Sequence, residues 1–362
     1  MASHLFSPFV LRSVAFHNRV FVSPMCQYSS EDGMPNDWHF VHLGSRAVGG
    51  ASLVFVEASA VTPTGRITLW DAGIWSAAHA EAWKRIAQFL RDHGAVPGIQ
   101  IAHAGRKASC NKPWLGGKSL APGEGAWQTL GPSAIAFGHY ATPRAMTVHE
   151  IERTVEDFRA AASHALAAGF DVVEIHGAHG YLLHSFASPL SNRREDRYGG
   201  SLENRIRLPL EVARAVREAW PRDKPVFYRI SATDWYEGGW DIEQSVVLCK
   251  RLKEIGIDLI DCSSGGNIHD QKIKLGPGYQ VPFAEAIRAG VGIPTAAVGL
   301  ISEAVQAEQI VALGQADAVC MARAFLRDPY WPRHAARALG VELPWPDQYS
   351  RCDVGPLGSP RA

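Results

Sequence analysis

The chain has 362 residues, 46% of them hydrophobic, and its 36 Lys+Arg balance its 36 Asp+Glu, an ordinary composition for a soluble globular protein. Zero net charge without a Lys/Arg-rich tract speaks against nucleic acid or an anionic membrane surface as partner and leaves a small molecule. No apolar run approaches the roughly 20 residues of a bilayer span, residues 1–16 lack a signal-peptide core, and six scattered cysteines show no CxxC spacing, so a reduced, cytoplasmic protein without a metal centre is expected.

In chain order, β-rich runs are predicted at 20–23, 52–57, 96–101, 171–175, 226–230, 259–262, 295–298 and 318–321. Amphipathic stretches at 77–93, 148–168, 201–219, 242–255 and 303–313 lie between them, and four of these end at Gly94, Gly169, Gly256 and Gly314, the usual punctuation of a helix C-terminus. Strict alternation implies parallel pairing, so eight units predict an α/β fold of the (β/α)8 TIM-barrel type, with an open doubly wound sheet as the alternative. Segment 104–146, rich in Gly, Pro and Trp and without periodicity, is expected to be a lid-like capping insertion after strand three, over the C-terminal mouth where such barrels keep their sites. No repeat or composition break divides the chain, so 1–362 is expected to be one domain.

In a barrel, the residues that end each strand share that mouth. Strand one delivers Pro24-Met25-Cys26-Gln27-Tyr28, strand two Ala58, strand three Gln100, His103, Arg106 and Lys107, and strand five Arg229. Strands seven and eight end in Val298-Gly299 and Ala322-Arg323, where barrels often hold a phosphate on backbone N–H groups. After strand four stands His176-Gly177-Ala178-His179-Gly180-Tyr181. One buried histidine is most often a satisfied core group. Two imidazoles and a phenol in one glycine-rich turn instead suit polarising and protonating a carbonyl compound. The His-x-x-His pair has no third ligand nearby in sequence, so a zinc site is not expected. The Gly117-Lys118-Ser119 and Gly276-Pro277-Gly278 stretches each lack a glycine that a phosphate loop or a dinucleotide turn requires.

Taken together, PMCQY at 24–28, EASAV at 57–61, GRI at 65–67, IQIAHAGRK at 99–107, HGAHGYLLHSFASPLSNRREDRYGGSLENR at 176–205, RISATDW at 229–235, and AVGLI followed by ARAFLRDPYW resemble the old yellow enzyme family of flavin ene-reductases, in particular its thermophilic-like class. The resemblance runs nearly end to end. It implies noncovalent FMN over the barrel mouth. Ser23, Pro24, Met25 and Cys26 would border the isoalloxazine, Ala58 and Gln100 its pyrimidine side, Arg229 its N1/O2 edge and Lys107 its polar edge. Gly299, Ala322 and Arg323 would hold the phosphate, although the family usually has glycine where Ala322 stands. It further implies an NADPH dehydrogenase, with NADH as a possible donor, that reduces activated C=C bonds of α,β-unsaturated carbonyl compounds by a ping-pong mechanism. His176 and His179 would hold the carbonyl oxygen, flavin N5 would deliver hydride, and Tyr181 would supply the proton. Cys26 would touch flavin and substrate, and Tyr28 the substrate. Gln348 to Arg351, in a tail spanning 340–362, resembles the class's arginine finger, so Arg351 would reach a neighbouring subunit's substrate site in a homodimer or homotetramer. Relatives of the dienoyl-CoA and trimethylamine dehydrogenase type require an iron–sulfur cluster for which no cysteine cluster exists here, and no strand end supplies the isolated lysine of a Schiff-base aldolase.

Overall fold

The structure, a computed structural model, describes residues 2–352. Eight strands form a closed parallel barrel: β1 (Val20–Val22), β2 (Leu53–Ala60), β3 (Val96–Ala102), β4 (Val172–Gly177), β5 (Val226–Ser231), β6 (Leu259–Ser263), β7 (Thr295–Ala297) and β8 (Ala318–Met321). Closure is made by β8 against β1, with Val319 opposite Val20 and Cys320 opposite Phe21. A helix follows each strand: α1 (Asp37–Val48), α2 (Ala77–Asp92), α3 (Val148–Ala167), α4 (Arg207–Ala219), α5 (Ile242–Ile255), α6 (Val281–Val291), α7 (Ala304–Ala312) and α8 (Trp331–Ala338). The expected (β/α)8 barrel is therefore the fold.

Side-chain alternation along the strands divides the core in two. Leu53 and Phe55 of β2 belong with Phe21, Val172, Phe227 and Leu259 in an inner cluster, whereas Val54 and Val56 join the larger cluster shared with the helices. An N-terminal hairpin, Phe9–Leu11 with Val14–Phe16, plugs the bottom of the barrel by setting Phe16 5.1 Å from Phe21 and 6.5 Å from Phe227. Above this aromatic floor the inner positions turn polar. Gln100 faces Glu174 in register, and Arg229 faces His176 and Asp261.

Helix starts follow local chemistry. Ser76, Thr147 and Asp241 each accept an N–H of the first turn of α2, α3 and α5, and Thr147 forms a capping box with Glu150. Three helices, α1, α6 and α8, lie outside the predicted stretches. In α1 the exposed Trp38 and Val41 interrupt the polar face and blur the 3.6-residue period. The predicted helix 201–219 is a short turn, Leu202–Arg205, that hands over to α4 at Ile206. Strand β4 runs two residues past its predicted end, so His176 and Gly177 belong to the barrel wall, not to the turn after it.

Segment 104–146 is built of 3-10 turns at Gly105–Lys107, Pro113–Leu115 and Pro122–Glu124 and a parallel pair, Leu130–Gly131 with Arg144–Ala145. Arg106, read from sequence as a polar group of the mouth, is instead a buried tie. Its guanidinium donates to the carbonyls of Ile135 (3.2 Å) and Ala136 (3.3 Å) and to Asn267 Oδ1 (2.9 Å), joining the segment to the β6–α6 connection. Among the described residues no helix is long and apolar enough to cross a membrane.

Candidate active site

The end of β4 and the turn after it bring His176, His179 and Tyr181 together. The His176 and His179 rings stand perpendicular (87°) with centroids 5.1 Å apart, and the Tyr181 ring lies edge-on to His176 at 5.0 Å. His176 Nδ1 accepts the N–H of Ala178 at 3.3 Å, so its Nε2 carries the proton of the neutral ring. His179 Nε2 lies 2.7 Å from Ser263 Oγ. Ser263 Oγ also donates to Gln280 Oε1 at 3.4 Å, beside the 2.5 Å hydrogen bond from Ser264, so the Ser263 hydroxyl is shared between Gln280 and His179 Nε2. His176 Nε2 and His179 Nδ1 face one gap, 3.4 Å apart, close enough for the first to donate to the second. Burial, reinforced by the positive charge of Arg229, holds both imidazoles well below the ordinary histidine range, so both are neutral at pH 7. Burial also pushes the Tyr181 phenol well up, with Cys26 and Tyr28 contributing, and it stays protonated.

The turn is braced from two sides. His179 takes φ +59° and Gly180 φ +73°, and a Cβ on Gly180 would stand 2.3 Å from Gly266 O, so only glycine fits there. Lys107 Nζ donates to the carbonyls of both His179 and Gly266 at 2.9 Å and lies 5.2 Å from the centre of the Tyr181 ring. Burial, with Arg106 nearby, lowers Lys107 to about 8. From behind, Gly180 N–H donates to His184 Nδ1 at 2.9 Å, and His184 Nε2 meets Asp234 Oδ1 at 3.1 Å. Asp234 Oδ2 accepts Ser188 Oγ (2.6 Å) and Trp240 N–H (2.9 Å).

One wall comes from β1 and β2. Ser23 is buried and its hydroxyl oxygen has no hydrogen-bond partner among the described residues. Pro24, Met25, Cys26 and Tyr28 follow, half-buried. A β-bulge at Glu57 brings Ala58 into register with Gln100, and the Glu57 carboxylate accepts Gln27 N–H (3.0 Å) and meets His39 Nε2 (3.1 Å). Burial, with Asp71 and Glu57 nearby, raises the Cys26 thiol well above its ordinary range. Tyr28, at φ +52°, sets its ring edge-on to Trp114 of segment 104–146 at 5.8 Å.

At the floor of the mouth Gln100 Nε2 donates to Glu174 Oε1 at 2.8 Å, and Arg229 Nη1 lies 3.4 Å from Asp261 Oδ2. Burial works against the Arg229 charge, but Asp261 and Glu174 outweigh it and its pKa is raised. Arg229 Nε has no hydrogen-bond partner among the described residues. Between the ends of β7 and β8 opens a cavity of about 390 Å3, lined by Ser263, Gly299, Leu300, Ala322, Arg323 and Arg327. Gly299 takes φ +125°, and a Cβ there would press to 2.8 Å from Gln280 Nε2. Ala322 has φ −110°, open to any residue, so alanine stands in place of the usual glycine without strain. Arg351 lies apart from these groups in the described chain, exposed in the turn Asp347–Cys352, and residues 353–362 of the predicted tail lie outside the described residues.

The NADH:flavin oxidoreductase / NADH oxidase family model matches residues 4–342. An NADPH dehydrogenase of Geobacillus sp. (strain WCH70) is 48% identical over 354 residues, covering 97% of this chain and 99% of the relative. The structure of morphinone reductase is similar with a TM-score of 0.78 and 30% identity, covering 96% of this chain and 92% of that one. A 2-naphthoyl-CoA reductase complex reaches a TM-score of 0.84 at 27% identity over 93% of this chain, which spans 52% of that longer protein. The chain belongs to the old yellow enzyme family.

As a member of the old yellow enzyme family it is an oxidoreductase that works with a flavin and a nicotinamide. The residues present fit a flavin. A buried unpartnered hydroxyl at Ser23, a buried Arg229 with a free donor, and a glycine-sided cavity beside Arg323 offer polar groups that protein atoms leave unsatisfied. Ser263, His184 and Asp234 were not singled out from sequence. Nothing local marks them, because each acts on the turn from 4 to 84 residues away in the chain.

Proposed function

We propose that this protein is an FMN-dependent NADPH:enone oxidoreductase, able to take NADH as well, that reduces activated C=C bonds in a ping-pong cycle. The observation that carries this reading is the pair of neutral imidazoles whose nitrogens, His176 Nε2 and His179 Nδ1, face one gap 3.4 Å apart beside a protonated Tyr181. Bound FMN would supply hydride chemistry, accepting it from the nicotinamide and returning it to the β-carbon of the alkene. Ser23, Pro24, Met25, Cys26, Ala58, Gln100 and Arg229 would hold its ring system with Lys107 behind the catalytic turn, and Gly299, Ala322 and Arg323 its phosphate.

His176 and His179 share one carbonyl oxygen and draw electron density from the alkene; preorganised donors of this kind contribute about 3 kcal/mol each. Tyr181 gives its phenol proton to the α-carbon, a step worth roughly 100- to 10,000-fold. Cys26 and Tyr28 border the substrate from the β1 side, and Trp114 extends that border outward. Arg351 completes the substrate site of a neighbouring copy in a cytoplasmic homodimer or homotetramer, for which a monomer in sedimentation is the contrary result. The purified protein is expected to be yellow and to develop a long-wavelength band with a phenol. Tyr181→Phe should keep that band and its reduction by NADPH but slow reoxidation by an enone by 100-fold or more. A colourless protein that takes up no FMN, or equal loss of both half-reactions, would contradict the assignment.

A further inference from the structure

The floor of the mouth holds more negative charge than its one cation explains. Glu174, Arg229 and Asp261 project from β4, β5 and β6, and neither carboxyl is measurably exposed. Glu174 Oε1 accepts Gln100, but its Oε2 has no hydrogen-bond partner among the described residues, and neither oxygen of Asp261 accepts a hydrogen bond. Asp261 Oδ2 instead lies at ion-pair distance, 3.4 Å, from Arg229 Nη1. Buried carboxylates this poorly solvated cannot both stay ionised beside one guanidinium. Burial and the neighbouring Asp261 raise Glu174 to about 8, so it holds a proton at neutral pH; burial raises Asp261 as well, while Arg229 at 3.4 Å favours its ionised form.

We infer that Asp261 is a positioning residue that sets the reduction potential of the flavin by offsetting the charge of Arg229 and fixing its guanidinium from below. The inference rests on the FMN reading above. Reduction takes up two electrons and adds negative charge to the flavin ring. A bare Arg229 would stabilise that charge strongly; paired with Asp261 it does so less, which keeps the reduced flavin a better hydride donor.

The test is the midpoint potential of the FMN-loaded protein, read by equilibration against a reference dye. Asp261→Asn should raise the ratio of reduced-FMN to oxidised-FMN affinity about tenfold, an upward shift of about 30 mV for a two-electron couple. Asp261→Ser, neutral and smaller than its pocket, should shift the potential in the same direction if the asparagine amide impairs folding. Asp261→Glu, which keeps the charge, should stay close to wild type. A neutral variant that binds FMN and keeps the wild-type potential, or lowers it, would overturn the role of Asp261 while leaving the ene-reductase reading intact. A wild-type protein that binds no FMN would overturn both.

Discussion

Ser263 decides which nitrogen of His179 carries a proton, and so whether the two imidazoles oppose or cooperate. Its hydroxyl, 2.7 Å from Nε2, can turn from Gln280 Oε1 to donate to Nε2, and the Nδ1 proton then faces the gap toward His176. Without it the ring is free to adopt the other tautomer, which would point a lone pair at any oxygen held by His176 and cost one hydrogen bond, about 1 kcal/mol. Ser263→Ala is therefore expected to weaken phenol binding about five- to tenfold, measured by titrating the long-wavelength band, with FMN content unchanged. An unaltered phenol affinity would mean the tautomer is set elsewhere. The sequence placed His176, His179 and Tyr181 together because they are contiguous. Ser263 stands 84 residues away at the end of β6 and becomes a partner only when β4, β5 and β6 pair in register.

The element that matters most is the short connection from β4 to the helix Leu182–Ala187, and it is held in place from behind by His184 and Asp234. His184 accepts Gly180 N–H with one nitrogen and meets Asp234 with the other, so the pair spans the tightest point of the turn. His184→Ala would leave a buried N–H and a buried carboxylate oxygen unpartnered, a loss of about 2 kcal/mol. His184→Gln can accept from Gly180 with its oxygen and donate to Asp234 with its nitrogen, so it should recover most of that. Thermal melting together with enone turnover checks this: the alanine variant should melt lower and lose turnover, and glutamine should restore both. Glutamine as poor as alanine would show that ring packing, not the Gly180 hydrogen bond and the polar contact with Asp234, holds the turn. Strands were legible at this scale because each is a short β-branched run between glycine-ended helices. Helices α1, α6 and α8 were not: in α1 the exposed Trp38 and Val41 obscure the periodicity that marks a buried face, and α6 and α8 are short, with only a few buried positions each.

At the scale of the whole barrel, an aromatic floor, a polar layer and an open mouth are stacked along one axis. Alternation of strand and helix predicted the closed barrel, and the strand ends placed Gln100 and Arg229 at its mouth, but not that Glu174 and Asp261 would join them at inner positions, since an isolated Glu or Asp in a strand reads equally well as facing solvent. That layer ties stability to pH. Glu174 in the folded protein titrates near 8, well above the ordinary glutamate value near 4.3, so the folded state keeps a proton that the unfolded chain releases between those limits. Its contribution is complete below about pH 4 and is lost progressively as pH rises to 8. Lys107, lowered to about 8, works in the next window: its buried charge costs stability below 8, and the cost fades between 8 and about 10.4 as the folded amine gives up its proton first. Between pH 5 and 8 the Glu174 effect therefore acts alone of the two. Arg229 keeps its charge across this range, burial raises the Asp261 carboxyl against the pull of Arg229, and the thiol of Cys320, pushed well up by burial and the neighbouring carboxyls, stays protonated. The melting temperature of wild type relative to that of Glu174→Gln, which carries no titrating proton but keeps an amide for Gln100, should fall from pH 5 to pH 8, since the buried histidines held low act alike on both proteins. Parallel curves for the two proteins would mean that Glu174 is ionised throughout and that the proton of the layer resides on Asp261.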